Sequence, residues 1–419
     1  MAQLSDDCFA FGGDLMPIGA ALALIETQVS PQVESETVPL KEALGRILAA
    51  PLKAPRDVPP HDNSAVDGYA VFFDDLAADG ETVLPVAGRA AAGHPLGHAG
   101  KRGEAVRIFT GAPMPDGPDT VLMQEDCREA GGLVRIPSGI RRGANRRRAG
   151  EDVKAGTVVL EPGRRLRPQD VGLSAELGFT SLPVYRKLRV AIFSTGDEVR
   201  DPGAELPKGA IYDANRYVLH ALLAGLGAQV TDVGILPDRA EAIRGALGAA
   251  ANSHDLILTS GGMSTGEEDH VKAAVEALGK LNFWRLAIKP GRPVAMGQIG
   301  GVPFMGLPGN PVAVMVTFLL LTRPLVLRLA GAVAAPPPRR FPVTSGFAHR
   351  KRANRCEFLR ARLVRGAEGG WTAEKFPRDG AGILTSMVES DGLVEIGEGV
   401  ARIEAGETVD FLPFSEVIE

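Results

Sequence analysis

Cysteine is scarce in this chain: Cys8, Cys127 and Cys356 are the three among 419 residues, widely scattered and odd in number. That excludes a disulfide framework and the paired spacing of a zinc cluster, and it fits a reducing cytoplasm. Excess basic charge is missing too. With 46 basic against 51 acidic side chains the net charge is -5, which provides no field for nonspecific nucleic-acid binding; the run Arg141, Arg142, Arg146, Arg147, Arg148 reads as a solvated connection. No long apolar run is uninterrupted. The most apolar stretch, residues 312–329, contains Arg323, Pro324 and Arg328, so it reads as a buried helix and not a membrane span. The first 14 residues carry Asp6, Asp7 and Asp14 but no basic residue, unlike a secretory signal. Internal repeats and low-complexity tracts are absent as well. What these absences leave is a multidomain cytoplasmic protein, since 419 residues exceed what one core usually supports.

What is present is a buried strand that runs into a glycine turn. In Asp255-Leu-Ile-Leu-Thr-Ser-Gly-Gly-Met-Ser-Thr-Gly-Glu-Glu-Asp-His270, apolar residues end in Ser260, Gly261 and Gly262, and a helical pattern with acids in its first turn follows Ser264 and Gly266. Glycine lets a backbone approach a ligand and point its N–H groups at it, and a helix N-terminus favours negative charge. Leu188-Arg-Val-Ala-Ile-Phe193 runs likewise into Ser194-Thr-Gly-Asp-Glu198, and Val302-Pro-Phe-Met-Gly-Leu307 into Pro308-Gly-Asn-Pro311 and a long apolar helix. Helical patterns at 215–226, 239–251 and 269–278 alternate with strand patterns at 229–234, 255–259 and 292–297. This predicts βαβ crossovers and a doubly wound α/β sheet that collects ligands where its strands end.

Punctuation suggests four domains. Residues 1–53 with 146–187 form an elongated helical and mixed domain, with amphipathic helices at 14–29, 40–49 and 168–179. Residues 54–145 form a β-rich insertion, with strands at 66–73, 104–109 and 120–123. Residues 188–332 form the wound α/β domain. After Pro336-Pro-Pro338, residues 336–419 turn to short strands (341–343, 357–364, 392–396, 408–414), a small β domain or barrel. The insertion carries two polar loops, Asp62-Asn-Ser-Ala-Val-Asp-Gly-Tyr-Ala70 and Thr110-Gly-Ala-Pro-Met-Pro115. Either, taken alone, is a turn whose side chains satisfy backbone groups.

Those two loops, with Ser194-Thr-Gly-Asp-Glu198, Ile211-Tyr-Asp-Ala-Asn215, Ser260-Gly-Gly-Met-Ser264, Lys289-Pro-Gly-Arg-Pro293 and Gly306-Leu-Pro-Gly-Asn-Pro311, resemble the family of molybdopterin molybdenumtransferases, to which a module of gephyrin is related. The matches run in order from Asp62 to Arg360. The resemblance implies a Mg²⁺-dependent reaction that consumes adenylylated molybdopterin and molybdate and yields molybdenum cofactor and AMP. It also implies a molybdopterin-binding domain at 188–332 and an elongated homodimer with sites shared between subunits. Molybdopterin adenylyltransferase and client molybdoenzymes are the implied contacts, with no nucleic acid and no membrane.

The family's catalytic positions fall on Asp67, Thr110, Glu198, Asp238, Asp269 and Lys289, with Arg360 from the C-terminal domain and Arg285 beside the lysine. Thr195, Gly196, Ser260, Gly261, Gly262, Ser264, Pro308, Gly309 and Asn310 would cradle the pterin. Two unit charges about 4 Å apart repel by about 4 kcal/mol at an effective dielectric of 20, so acids beside a diphosphate need a cation between them. Glu198, Asp238 and Asp269, or a subset, would hold Mg²⁺, which takes oxygen ligands from one or two carboxylates plus phosphates and waters. Lys289, with Arg285 or Arg292, would neutralise molybdate or developing phosphate charge. A plainer reading stays open for each acid: Glu198 and Asp269 near helix N-termini, and Asp238 as an N-cap. The chain departs from the family at Arg285, where a lysine is common, and at Ala381, where some relatives carry serine. Two other functions fit parts of the pattern, a molybdopterin adenylyltransferase and a noncatalytic molybdopterin carrier, and tungstate could stand in for molybdate.

Overall fold

A computed structural model describes residues 15–261, 270–333, 337–366 and 369–418. Two compact units emerge: Met1–Ala50 with Pro162–Arg167 and Ser181–Glu419, and Pro51–Glu161 with Pro168–Thr180.

The larger unit contains a six-stranded sheet. Its strands are β1 (Arg189–Thr195), β2 (Gln229–Leu236), β3 (Leu256–Ser260), β4 (Gly279–Arg285), β6 (Pro293–Ile299) and β7 (Val302–Leu307), in the order β2-β1-β3-β7-β6-β4, while a short β5 (Ile288–Lys289) leaves the sheet. Adjacent residues of β1 face opposite layers, as a strand buried on both faces requires. Val190 and Ile192 pack with α1 (Ile18–Gln28), α2 (Asn215–Gly225) and a long helix, α5 (Pro311–Leu329). Ala191 and Phe193 pack with α3 (Ala240–Ala251) and α4 (His270–Leu278). Helices on both faces make the sheet doubly wound, as the alternating pattern predicts. By length and composition α5 could cross a membrane, but 78% of its apolar window is buried inside the protein. Its turn widens to π geometry over Phe318–Thr322, just before Pro324, which has no N–H to give to the preceding turn.

The sheet is not wholly parallel. β2, β1, β3 and β7 run parallel, whereas β6 is antiparallel to β7 and β4 is antiparallel to β6. Gly300 and Gly301, both at positive φ, join β6 to β7, and a two-residue link permits only a hairpin.

The C-terminal segment closes five strands into a ring: β8 (Phe341–Ser345), β9 (Cys356–Arg365), β10 (Trp371–Lys375), β11 (Gly392–Ile396) and β12 (Thr408–Pro413). Pairing runs β9-β10-β8-β12-β11, and β11 returns to β9. Closure leaves an open edge among these strands only at the start of β9, where β10 does not reach, and Leu359, Ala361, Val394 and Phe411 fill the interior. β5 adds to the outside of β9 in parallel, Ile288 opposite Cys356 and Lys289 opposite Glu357. The chain thereby stitches sheet and barrel together within one unit.

The smaller unit holds a second six-stranded sheet in which Gly68–Val71 lies between Thr120–Met123 and Ala105–Ile108. Tyr69, Leu84, Leu122, Val134 and Ile136 make its core. A helix, Pro168–Glu176, is also present, as the sequence predicts. The helix predicted at 40–49 is not. Only Leu40–Glu42 forms a 3₁₀ turn; Gly45 takes φ 74°. Beyond it the backbone is extended, Tyr185 N–H donating to Ile47 O and Ala49 N–H to Pro183 O. Pairing with distant segments overrides the helical propensity of Leu-Lys-Glu-Ala-Leu.

Candidate active site

Because β1, β3 and β7 are parallel and in register (Ser194 opposite Ser260, Ser260 opposite Leu307), their C-terminal ends lie on one edge of the sheet. The chain moves from β1 to β2 on one side and then to β3 on the other, so the gap between β1 and β3 is the topological switch point. The turns there touch. A side chain at Gly261, which has φ 85°, would place its Cβ 3.1 Å from Thr195 O, and one at Gly309 would lie 4.0 Å from Gly261 Cα. Only glycine fits at Gly261, on both conformation and space. Asn215, the first residue of α2, ties two of the turns by donating to Ser260 Oγ at 2.8 Å and to Gly309 O at 2.7 Å. Ser194 Oγ, Thr195 Oγ1, Thr259 Oγ1 and Asn215 Oδ1 are buried without a hydrogen-bond partner among the described residues. Buried polar atoms are seldom left so, and at a strand edge they mark a place for ligand or water.

Beside these turns a cavity of about 660 Å³ opens between the sheet edge and the barrel. It gathers Glu198, Gly261, Lys289, Arg292, Pro308, Gly309, Asn310 and Arg360 from the sequence-derived set, and adds Glu357 and Asp379. Its charges fall into two groups. Glu357 is paired with Arg355 and Lys289, and Asp379 with Lys375 at 2.9 Å. Glu198, Arg292 and Arg360, in contrast, make no ion pair among the described residues. The Glu198 carboxylate folds back over its own turn, so a Cβ at Gly196 would meet Oε2 at 2.7 Å.

Arg360 is the most unusual of the unpaired groups. It is 7% exposed and gives Nε to Ser386 Oγ at 3.0 Å and Nη2 to Gly380 O at 3.2 Å. Burial lowers its pKa from the ordinary arginine value, and Asp379 pulls it back only in part. A buried cation with no direct ion pair is costly, and an anion in the cavity would add to the partial relief that Asp379 gives. The N-terminus of α5 contributes less than its sequence suggests. Pro311 has no N–H, and Val312 gives its own to Ala381 O at 2.9 Å, so the cavity's positive charge comes from the side chains of Lys289, Arg292 and Arg360.

The remaining sequence-derived residues lie elsewhere. Thr195 is buried at the end of β1, and Ser260 lies under the turns. Asp238 follows β2, the outermost strand on its side, and does not line the cavity. It is not the N-cap of α3 either, because that position belongs to Arg239, which makes no capping bond. Arg285 ends β4, exposed and outside the cavity lining. Gly262, Ser264 and Asp269 lie outside the described residues. In the smaller unit Asp67 Oδ1 accepts both the N–H and the hydroxyl of Thr110, each at 2.8 Å. Those two bonds, the N–H first, hold the Asp67 carboxyl below its usual value.

Asn215 and Glu357 were not among the sequence-derived site residues. The first lay within a quoted motif, Ile211-Tyr-Asp-Ala-Asn215. The second meets Lys289 across 68 residues of sequence, and no spacing could reveal that.

No group of three or more His, Cys, Asp or Glu side chains is arranged to hold a metal among the described residues. The donor set nevertheless fits Mg²⁺, which commonly binds one or two carboxylates and completes its shell with phosphate and water; Glu198 is a cavity-facing carboxylate with no competing cation.

A wound sheet whose strand-end turns meet a barrel across a cavity lined by Lys289, Arg292 and Arg360 is an arrangement suited to an anionic ligand. Three family models match the chain in order: MoeA N-terminal region (domain I and II) over residues 16–178, probable molybdopterin binding domain over 191–328, and MoeA C-terminal region (domain IV) over 342–414. The chain belongs to the molybdopterin molybdenumtransferase family, a family of transferases. A relative of that name from Haemophilus influenzae is 38% identical over 405 residues, spanning 96% of this chain and 100% of the relative. One from Nostoc sp. is 37% identical over 311 residues, 73% of this chain and 71% of its own. A crystal structure described as molybdopterin biosynthesis moeA protein from Pyrococcus horikoshii superposes with a TM-score of 0.83 at 30% identity, covering 96% of this chain and 100% of that one.

Proposed function

We propose that this protein inserts molybdenum from molybdate into adenylylated molybdopterin, releasing AMP in a Mg²⁺-dependent reaction, and that it does so as a cytoplasmic homodimer. The observation that carries this reading is the buried, unpaired Arg360 facing the same cavity as Lys289 and the glycine turns.

The three turns, with Asn215 bracing two of them, would hold the pterin and its phosphates at the switch point. Lys289, Arg292 and Arg360 would bind the molybdate oxyanion and take up negative charge that develops as the phosphoanhydride breaks. Glu198, with Asp269 or Asp238, would hold Mg²⁺, which when bound supplies a counter-charge for the diphosphate. The barrel wall, including Ala381, would exclude bulk water and strengthen each of these charge interactions. Asp67 and Thr110 would act on the site of the partner subunit. Mixing Asp67→Asn chains with Glu198→Gln chains should then restore part of the activity in heterodimers, and self-contained sites would restore none.

The deciding experiment follows AMP from adenylylated molybdopterin and the purified full chain, with and without molybdate and Mg²⁺. AMP that appears only when both are present supports the proposal. Retained pterin with no AMP under any condition would make the protein a carrier. Synthesis of adenylylated molybdopterin from ATP would make it an adenylyltransferase.

A further inference from the structure

Glu357 lies at the wall of the cavity, is 0% exposed, and has more basic partners than a carboxylate needs. Arg355 donates to Oε1 through Nε at 3.1 Å and Nη2 at 2.6 Å. On Oε2, His349 Nε2 lies at 3.0 Å and Lys289 donates at 3.3 Å. Burial pushes the Glu357 carboxyl up, yet the bonds from His349, Arg355 and Lys289 outweigh it and hold the group below its usual value. Arg355 occupies one oxygen fully, which leaves the other for His349 and Lys289.

Lys289 itself is mobile by nature: a four-carbon stem, 53% exposed, that ends in a point charge. Backbone pairing brings it to Glu357, since β5 and β9 run in parallel with these two residues opposite one another. The turn beyond is held as well. Gly291 has φ 101°, and a Cβ there would come within 2.3 Å of Thr317 Oγ1 on α5. The lysine backbone is therefore anchored to helix and barrel, and its free end is tied to a carboxylate that has nowhere else to go.

We propose that Glu357 is a positioning residue, one that acts through Lys289 by holding its ammonium at the cavity wall for the incoming oxyanion. The proposal rests on the reading of Lys289 as an oxyanion contact. Glu357 would itself repel an oxyanion, but Arg355 on Oε1 and Lys289 on Oε2 offset its charge. The cavity wall thus carries an ammonium held on a buried, ion-paired carboxylate.

The test uses the full chain. In Glu357→Gln, Lys289 loses its ionic partner, and acylation of its amine by an N-hydroxysuccinimide ester, followed by peptide mass spectrometry, should quicken roughly threefold to tenfold. The rate at Lys53, in the other compact unit, should not change. Calorimetric affinity for tungstate, used as an unreactive stand-in for molybdate, should fall by a similar factor and recover in part in Glu357→Asp. Lys289→Met should weaken tungstate binding at least as much, and the double variant should bind no worse than Lys289→Met alone. Unchanged labelling at Lys289, or losses that multiply in the double variant, would overturn the proposal. If Lys289→Met leaves tungstate binding intact, the oxyanion role of Lys289 fails instead, whatever the labelling shows. If Glu357→Gln does not fold, Arg355→Met with Glu357 retained gives the complementary reading: Glu357 should then hold Lys289 more tightly and slow its acylation. A faster rate would refute the pairing.

Discussion

The two edges of the wound sheet treat charge in opposite ways. At the edge where the parallel strands begin, Asp255 is locked by Arg186, at 2.6 and 2.9 Å, and by the side chain and N–H of Arg189, both at 2.9 Å. Burial would raise its pKa, but these bonds lower it to about 2. At the edge where the same strands end, and among the described residues, Glu198, Arg292 and Arg360 have no ionic partner and four buried side-chain oxygens from Ser194, Thr195, Thr259 and Asn215 have no hydrogen-bond partner. At the first edge Asp255 and its two arginines resolve their charges internally and support the fold. The other leaves its polar groups unmatched, which costs stability unless a ligand supplies the missing partners.

That contrast can be broken by substitution. At the ligand edge, Glu198→Gln should reduce the rate of AMP release by about a hundredfold or more, near 3 kcal/mol of barrier, and should shift the urea midpoint little. At the opposite edge, Asp255→Asn strands two arginines over a buried amide. It should cost about 3 kcal/mol of unfolding free energy, with activity per folded molecule retained. Equal effects of the two variants on stability would erase the distinction between the edges.

Acid sharpens it. The Asp255 carboxyl titrates at about 2 in the folded chain against 3.8 for the free side chain, so its charge favours the folded state above pH 4. About 2 kcal/mol of that stabilisation is lost as pH falls toward 2, and the pH dependence of urea unfolding should lose this component in Asp255→Asn. The smallest effect concerns the turns. Asn215→Ala removes two bonds and one unsatisfied oxygen, and should cost about 1 kcal/mol in stability. Its larger signature should be weaker pterin retention, measured by the fluorescence of bound ligand.

How much of this could be read in the sequence follows from what sequence can encode. The strand-to-turn units at Ser194, Ser260 and Pro308 were legible because period, glycine and hydroxyls coincide within a few residues, and so was the burial of α5, announced by its interrupting arginines and proline. The strand Gly279–Arg285 was not foreseen, since it follows α4 with no intervening turn residues to mark it. The antiparallel β6–β7 hairpin was signalled by Gly300-Gly301 and passed over. The false helix at 40–49 had good local propensity and lost to long-range pairing. At the site, the family resemblance named Glu198, Lys289 and Arg360. Their division into paired and unpaired charges depends on the β5–β9 register and on barrel closure, and neither leaves a mark in local sequence.

Arg360 tests the account most directly, because it is the buried cavity cation that lacks a direct ion pair among the described residues. Urea unfolding and molybdate-dependent AMP release should be measured on one preparation of Arg360→Met. The account predicts unchanged or increased stability, since a desolvated charge is replaced by an apolar chain of similar length, together with a rate lowered by about a hundredfold or more. A destabilised protein that still releases AMP at the normal rate would contradict it.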